Sequence, residues 1–190
     1  DILRLSKPPR LIEAFDISHL GGTDTVASMV VFKDGKPYKK GYRKYNINVG
    51  QIDDFESMRE VVFRRYKRQL DEENPLPDLI LIDGGKGQLS SAKESLDKLK
   101  LKLPIVSIAK RLEELFIPGE SESLRVAKNS PALNILKQLR DEAHRFAITF
   151  QREKRTKNIA RSKFEDIPGV GKKIVEKIYK RFQSTSEMKD

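Results

Sequence analysis

Leu79 to Ile82 form an unbroken apolar run, entered from Pro77-Asp78 and left through Asp83-Gly84-Gly85. So short a run without polar alternation is the pattern of a strand buried on both faces, and parallel sheets bury strands that way. Covering both faces takes helices, so this run commits the chain to layers of helix and sheet. PIVSIAK (104–110) is a second buried strand of the same kind.

Three strand-like segments come earlier: LIEAFDIS (11–18), TVASMVVFK (25–33) and KPYKKGYRKYNI (36–47). Asp34-Gly35 joins the last two in a tight hairpin turn, which makes the beginning of the sheet antiparallel. Residues 53–73 carry Phe55, Met58, Val62, Tyr66 and Leu70 at helical spacing, with Asp53 and Glu56 as a capping box. Helical spacing returns from Gln88 to Leu99, and 112–128 reads as a loop or hairpin excursion. Ser130-Pro131 opens a long helix, Ser as cap and Pro at its first position, with Leu133, Leu136, Leu139, Ala143, Phe146 and Phe150 on its buried side. The order predicts an α/β fold: a mixed sheet flanked by helices, expected over residues 1–155. A basic linker and a small all-α appendage occupy 156–190.

With 38 Lys and Arg against 28 Asp and Glu, the formal charge is +10, which points to a polyanionic partner and chiefly to nucleic acid. The segment 151–164 is dense in Lys and Arg and holds one acidic residue. There is no cysteine, so disulfides and thiolate metal sites are excluded and a metal would need carboxylate, imidazole, carbonyl or water ligands. No apolar run suggests a membrane span and the N-terminus lacks the core of a signal peptide, so a cytoplasmic protein is expected. The chain begins without Met and reads as part of something longer.

Asp16 stands inside the first strand, where a lone ionised group needs a compensating partner. Asp83 ends the buried run at a strand-to-loop junction, the place where open α/β sheets build their sites. If the two strands are parallel neighbours, the carboxylates meet, and a divalent cation between them removes the conflict. By itself, Asp83 before Gly-Gly reads equally as a turn residue. Asp54 in a first helical turn complements the helix dipole. Asp78 beside Pro77 reads as loop chemistry, and His19 as shaping the loop after the first strand. His144, in LRDEAHRF, borders the apolar seam of the long helix among basic neighbours that include Arg140 and Lys137. GGKGQ does not fit a Walker loop; its glycines suit close passage of a phosphodiester, with Lys86 as the point charge. Gly169, Gly171, Lys172 and Lys173, in IPGVGKK, suit an anion site at a helix N-terminus.

FDISH followed by Gly21-Gly22, then PDLILIDGGKGQ, then LRDEAHRFA, in this order, resemble the C-terminal half of the UvrC family, the nuclease subunit of bacterial nucleotide excision repair. IPGVGKK is similar to the first of that family's two helix-hairpin-helix units; the second is incomplete in this sequence. The resemblance implies an RNase H-like endonuclease that cuts damaged double-stranded DNA on the 5′ side of the lesion, in company with a UvrB–DNA complex. It implies a catalytic set of Asp16, Asp83 and His144, with Asp54 as a further acidic position. The family's GIY-YIG domain and its main UvrB-interacting segment are not among these residues.

The mechanism expected is hydrolysis of a phosphodiester with Mg²⁺ or Mn²⁺ held by Asp16, Asp83 and His144, the histidine being a ligand or a general base. Two other readings stand beside it: an RNase H-type nuclease for RNA–DNA hybrids, and a non-catalytic DNA-binding module.

Overall fold

The computed structural model describes residues 3, 5, 7–20, 24–47, 53–109, 114–124, 126, 127, 129–165 and 174. Gly169, Gly171, Lys172, Lys173 and the expected helix-hairpin-helix lie outside them. Two compact units are distinguished, Asp1–Thr149 and Phe150–Asp190.

The first unit is built on a seven-stranded mixed sheet. The elements of the chain are β1 (Leu11–Leu20), β2 (Asp24–Lys33), β3 (Lys36–Pro37), β4 (Arg43–Asn46), α1 (Asp54–Asp71), β5 (Leu79–Asp83), α2 (Lys86–Lys98), β6 (Ile105–Ala109), β7 (Glu114–Phe116) and α3 (Pro131–Glu165), of which α3 belongs to the first unit as far as Thr149. The strand order is β3-β2-β1-β5-β6-β7, with β4 also paired to β2. β1 is antiparallel to β2 but parallel to β5, and β5 is parallel to β6, so the centre of the sheet is parallel and both sides are antiparallel. Asp34 and Gly35 make the β2–β3 turn with φ of 51° and 76°, the two positive angles that this tight hairpin requires.

The third expected strand is interrupted. A 3-10 turn over Lys39–Gly41 separates β3 from β4, although both pair with β2. Gly41 is pressed against β2, since a Cβ there would lie 2.8 Å from Cγ2 of Val31. Within the expected 112–128 excursion, residues 114–124 form a hairpin: β7 pairs with β6, and Leu115 bridges Leu124.

Side chains alternate across the strands and divide the core in two. Phe15, Ile80 and Ile82 face α1 and α2, against Met58, Val62, Tyr66 and Leu96. Ile12, Ala14, Leu79 and Leu81 face α3, against Leu133, Leu136, Leu139 and Ala143. Each fully buried leucine contributes about 1.5–3 kcal/mol, which suffices to fix α3 on the sheet.

Helix boundaries and faces differ from expectation in ways geometry explains. In α1 the buried face runs through Met58, Val61, Val62, Tyr66 and Gln69, while Phe55 and Leu70 are exposed. Three turns take about eleven residues, so Gln69, not Leu70, returns beneath Met58. Asp53 caps α1 by accepting from the Phe55 and Glu56 amides, but the Glu56 carboxylate pairs with Arg59 instead of closing a capping box. α2 starts at Lys86, two residues early, because the Gly85 amide donates to Oε1 of Gln88 at 3.0 Å. On α3, Ala147 is buried while Phe146 and Phe150 are half-buried. Among the described residues no helix is long and apolar enough to cross a membrane.

Candidate active site

β1 and β5 run parallel with Phe15 beside Ile82, so the next residues along, Asp16 and Asp83, come side by side. Alternation turns both toward α3: Asp16 follows the parity of Ile12 and Ala14, and Asp83 that of Leu79 and Leu81. α3 brings the third group. Ala143 is buried against the sheet, and Oγ of Ser28 on β2 donates to the Ala143 carbonyl at 3.0 Å. His144, the next residue, is thereby carried to Asp16 in mid-β1, beside the end of β5. One donor atom each from Asp16, Asp83 and His144 lie within 4.8 Å of one another.

The two carboxylates are buried, Asp16 to 1% and Asp83 to 6% of full exposure. His144 keeps 48% of its side-chain surface in solvent, with Nδ1 at 3.4 Å from Oδ2 of Asp16. Ser18 donates its hydroxyl to the same Asp16 oxygen at 3.0 Å. Two like charges about 4 Å apart repel by about 4 kcal/mol at an effective dielectric of about 20, and a hard divalent cation removes that conflict. Two carboxylate oxygens and an imidazole nitrogen are a fitting donor set for Mg²⁺ or Mn²⁺.

Asp54 does not join this cluster. It is the first residue of α1, and its Oδ1 pairs with Nε2 of His19. His19 shares the parity of Phe15 and Ile17, so the pair lies on the α1 side of the sheet, opposite Asp16. His19 does not shape a loop: it sits within β1, and its Nδ1 lies 3.0 Å from Oγ1 of Thr25, its partner across the β1–β2 ladder.

Lys86 is turned toward the β7 hairpin, its ammonium on the Ser121 carbonyl and 5.2 Å above the Phe116 ring. Gly84 and Gly87 have packing roles, since a Cβ on Gly84 would press on the Gln88 side chain and one on Gly87 would overlap the Phe55 ring. Arg140, one turn before His144, holds Oδ1 of Asp141 at 2.7 Å. Asp78 does more than fill a loop: its Oδ2 accepts the amides of Arg10 and Leu11 at 3.0 and 2.9 Å, fixing the start of β1.

Two supporting residues escaped the sequence reading. Ser18 was legible, since a hydroxyl two positions beyond Asp16 must share its face. Ser28 had no local signal; only the β1–β2 register and the seat of α3 give it a role.

The fold and the site define a class: an RNase H-like domain whose central parallel strands deliver carboxylates to one helix-borne imidazole. Residues 1–148 match the family described as the UvrC RNase H endonuclease domain. The chain belongs to that family. It is 57% identical over 190 residues to the UvrABC system protein C of Flavobacterium psychrophilum, covering 98% of this chain and 32% of that protein. The UvrABC system protein C of Salinibacter ruber is 48% identical, covering all of this chain and 31% of its own. The chain thus spans about a third of the length of the curated relatives it matches. Among solved structures, human ENDOV is similar with a TM-score of 0.39 at 17% identity, covering 65% of this chain and 51% of that one.

Proposed function

We propose that the chain is a divalent-metal-dependent DNA endonuclease that hydrolyses a phosphodiester in damaged double-stranded DNA, making the 5′-side incision of bacterial nucleotide excision repair on a UvrB–DNA complex. The observation that carries it is the convergence of Asp16, Asp83 and His144 donor atoms within 4.8 Å beside the carboxyl end of β5. The membership of residues 1–148 in an RNase H endonuclease family supports the same reading.

Asp16, Asp83 and His144 would hold Mg²⁺ or Mn²⁺, which when bound supplies Lewis-acid polarisation of a phosphoryl oxygen. The chain's own residues do the rest. Ser18 fixes one oxygen of Asp16 and so orients the carboxylate. Asp16 in turn faces Nδ1 of His144, which sets the imidazole's orientation; the other ring nitrogen then serves either as the ligand to the metal or as the base that takes the proton of an attacking water. The burial of both carboxylates keeps bulk water from screening their charges. Asp54, bonded to His19 across the sheet, acts in this reading by holding the end of β1 from the other side.

Asp83→Asn tests the proposal. The variant should bind duplex DNA as the parent does, and lose both Mn²⁺ binding and incision. Full incision by Asp83→Asn, with upstream repair proteins supplied, would leave only a DNA-binding module. Faster cutting of an RNA–DNA hybrid than of a lesion-bearing duplex would assign the site to hybrids instead.

A further inference from the structure

Residues 36–44, KPYKKGYRK, carry Lys36, Lys39, Lys40, Arg43 and Lys44 with no acidic residue among them. All five cations are exposed. They occupy β3, the 3-10 turn and β4, the side of the sheet beyond β2.

This edge is aligned with the carboxylates. Asp16 pairs with Ser28 across β1–β2, and Ser28 pairs with Lys44 across β2–β4. Asp83 stands next to Asp16 on the other side. One row across four strands therefore reads Asp83, Asp16, Ser28, Lys44. Residues directly opposite in a ladder share a face, so Lys44 is on the α3 side with the site, and its ammonium lies 5.3 Å over the Phe146 ring. With strands about 4.8 Å apart, Lys44 is about 10 Å from Asp16, a span one DNA strand covers within about three phosphates.

Glu142 lies beside the row, accepting from Tyr42 at 3.0 Å and from Arg145 at 2.7 Å, and it feels the charge of Lys39, which places that lysine near α3. Lysines on an edge strand can serve only to block edge-to-edge pairing. That explanation does not reach Lys39 and Lys40, which sit in the 3-10 turn and not on a ladder.

We propose that Lys39, Lys40 and Lys44 form a phosphate-binding edge that holds the backbone of duplex DNA beside the carboxylate site. The proposal rests on the endonuclease reading for its choice of DNA as the polyanion. Arg43, on the other face by its pairing with Met29, is outside it.

The test compares two triple variants of equal charge change. One is Lys39→Gln, Lys40→Gln, Lys44→Gln. The other is Lys98→Gln, Lys100→Gln, Lys102→Gln, exposed lysines at the end of α2 and in the loop to β6, at the opposite end of the parallel strands. Binding of a labelled duplex is followed by anisotropy in EDTA over a salt series, with circular dichroism confirming that both variants are folded. The edge variant should lose about three from the slope of log K against log salt, and bind about tenfold or more weakly at moderate salt; the control should keep the parental slope. Equal slopes for the two variants overturn the proposal, as does competition by poly-glutamate equal to that by DNA, which would move the surface to an acidic protein partner. The endonuclease reading is judged separately by Asp83→Asn with Mg²⁺. A changed edge slope with undiminished cutting by Asp83→Asn sinks the nuclease and leaves the surface; an unchanged slope with lost cutting does the reverse.

Discussion

His144 Nδ1 lies 3.4 Å from Oδ2 of Asp16, across a sequence separation of 128 residues. Neither residue is prepared for this contact by its neighbours in the chain. β1 and α3 are brought together by apolar packing, and the polar contact is a product of where that packing stops.

Replacement of the imidazole isolates its part in the chemistry. His144→Ala should reduce the single-turnover incision rate by about 10²–10⁴-fold, the usual worth of a positioned acid–base group, while duplex affinity in EDTA stays within a factor of two or so of the parent. Circular dichroism and urea unfolding like the parent's would separate lost chemistry from lost packing.

Ser18 acts through Asp16. Ser18→Ala should weaken Mn²⁺ binding by about 10–100-fold, the typical effect of losing a hydrogen bond to a metal ligand, with a smaller loss of rate at saturating metal. Titration calorimetry reads the affinity directly. An unchanged Mn²⁺ affinity would show that the hydroxyl does not orient the carboxylate.

A buried ion pair lies on the far face of the sheet. Nη2 of Arg65 meets Oε1 of Glu13 at 2.6 Å, with only 12% and 2% of the two side chains exposed. Tyr66 donates its hydroxyl to the same carboxylate at 2.9 Å, and burial, then Glu13, push the phenol's pKa well above its ordinary value. Arg65→Leu should cost about 3–5 kcal/mol in urea unfolding, because it strands a buried charge. Adding Glu13→Leu should restore much of that loss.

Asp78 gives the fold a defined acid sensitivity. The Leu11 amide, then the Arg10 amide and Lys7, hold its carboxyl below the ordinary range. The unfolded chain therefore binds this proton more readily, so the contribution is present above the unfolded pKa of about 3.9 and is lost as pH falls through the depressed folded value. Thermal melts of the parent and Asp78→Asn should differ most above about pH 4 and converge in stronger acid. A constant difference across that window would mean the two amide bonds carry no linkage.

Some elements were legible because their signal is local. The positive φ angles at Asp34 and Gly35 belong to the residues that most readily adopt them, so the hairpin could be placed without any tertiary knowledge. Other elements were set by neighbours. The strand expected over 36–47 breaks where Gly41 presses on Val31 of β2, and Lys86 turns to the β7 hairpin because Ser121 and Phe116 are there to receive it. Asp16 in mid-β1 and Asp54 at the start of α1 are both acidic, yet the pleat turns Asp16 toward α3 and turns His19, Asp54's partner, to the α1 side.

By itself, the sequence determined that two buried strands end in or contain an aspartate, that helices cover them, and that a histidine follows the apolar seam of the last long helix. Those are properties of residue type and spacing, which local conformation reads at once. Only the tertiary structure decided that β1 and β5 are parallel neighbours in a register one residue short of Asp16 and Asp83, and that Ser28 seats α3 so that His144 meets them. Register and helix seating are fixed by burial summed over the whole core, and no stretch of chain carries that sum within itself.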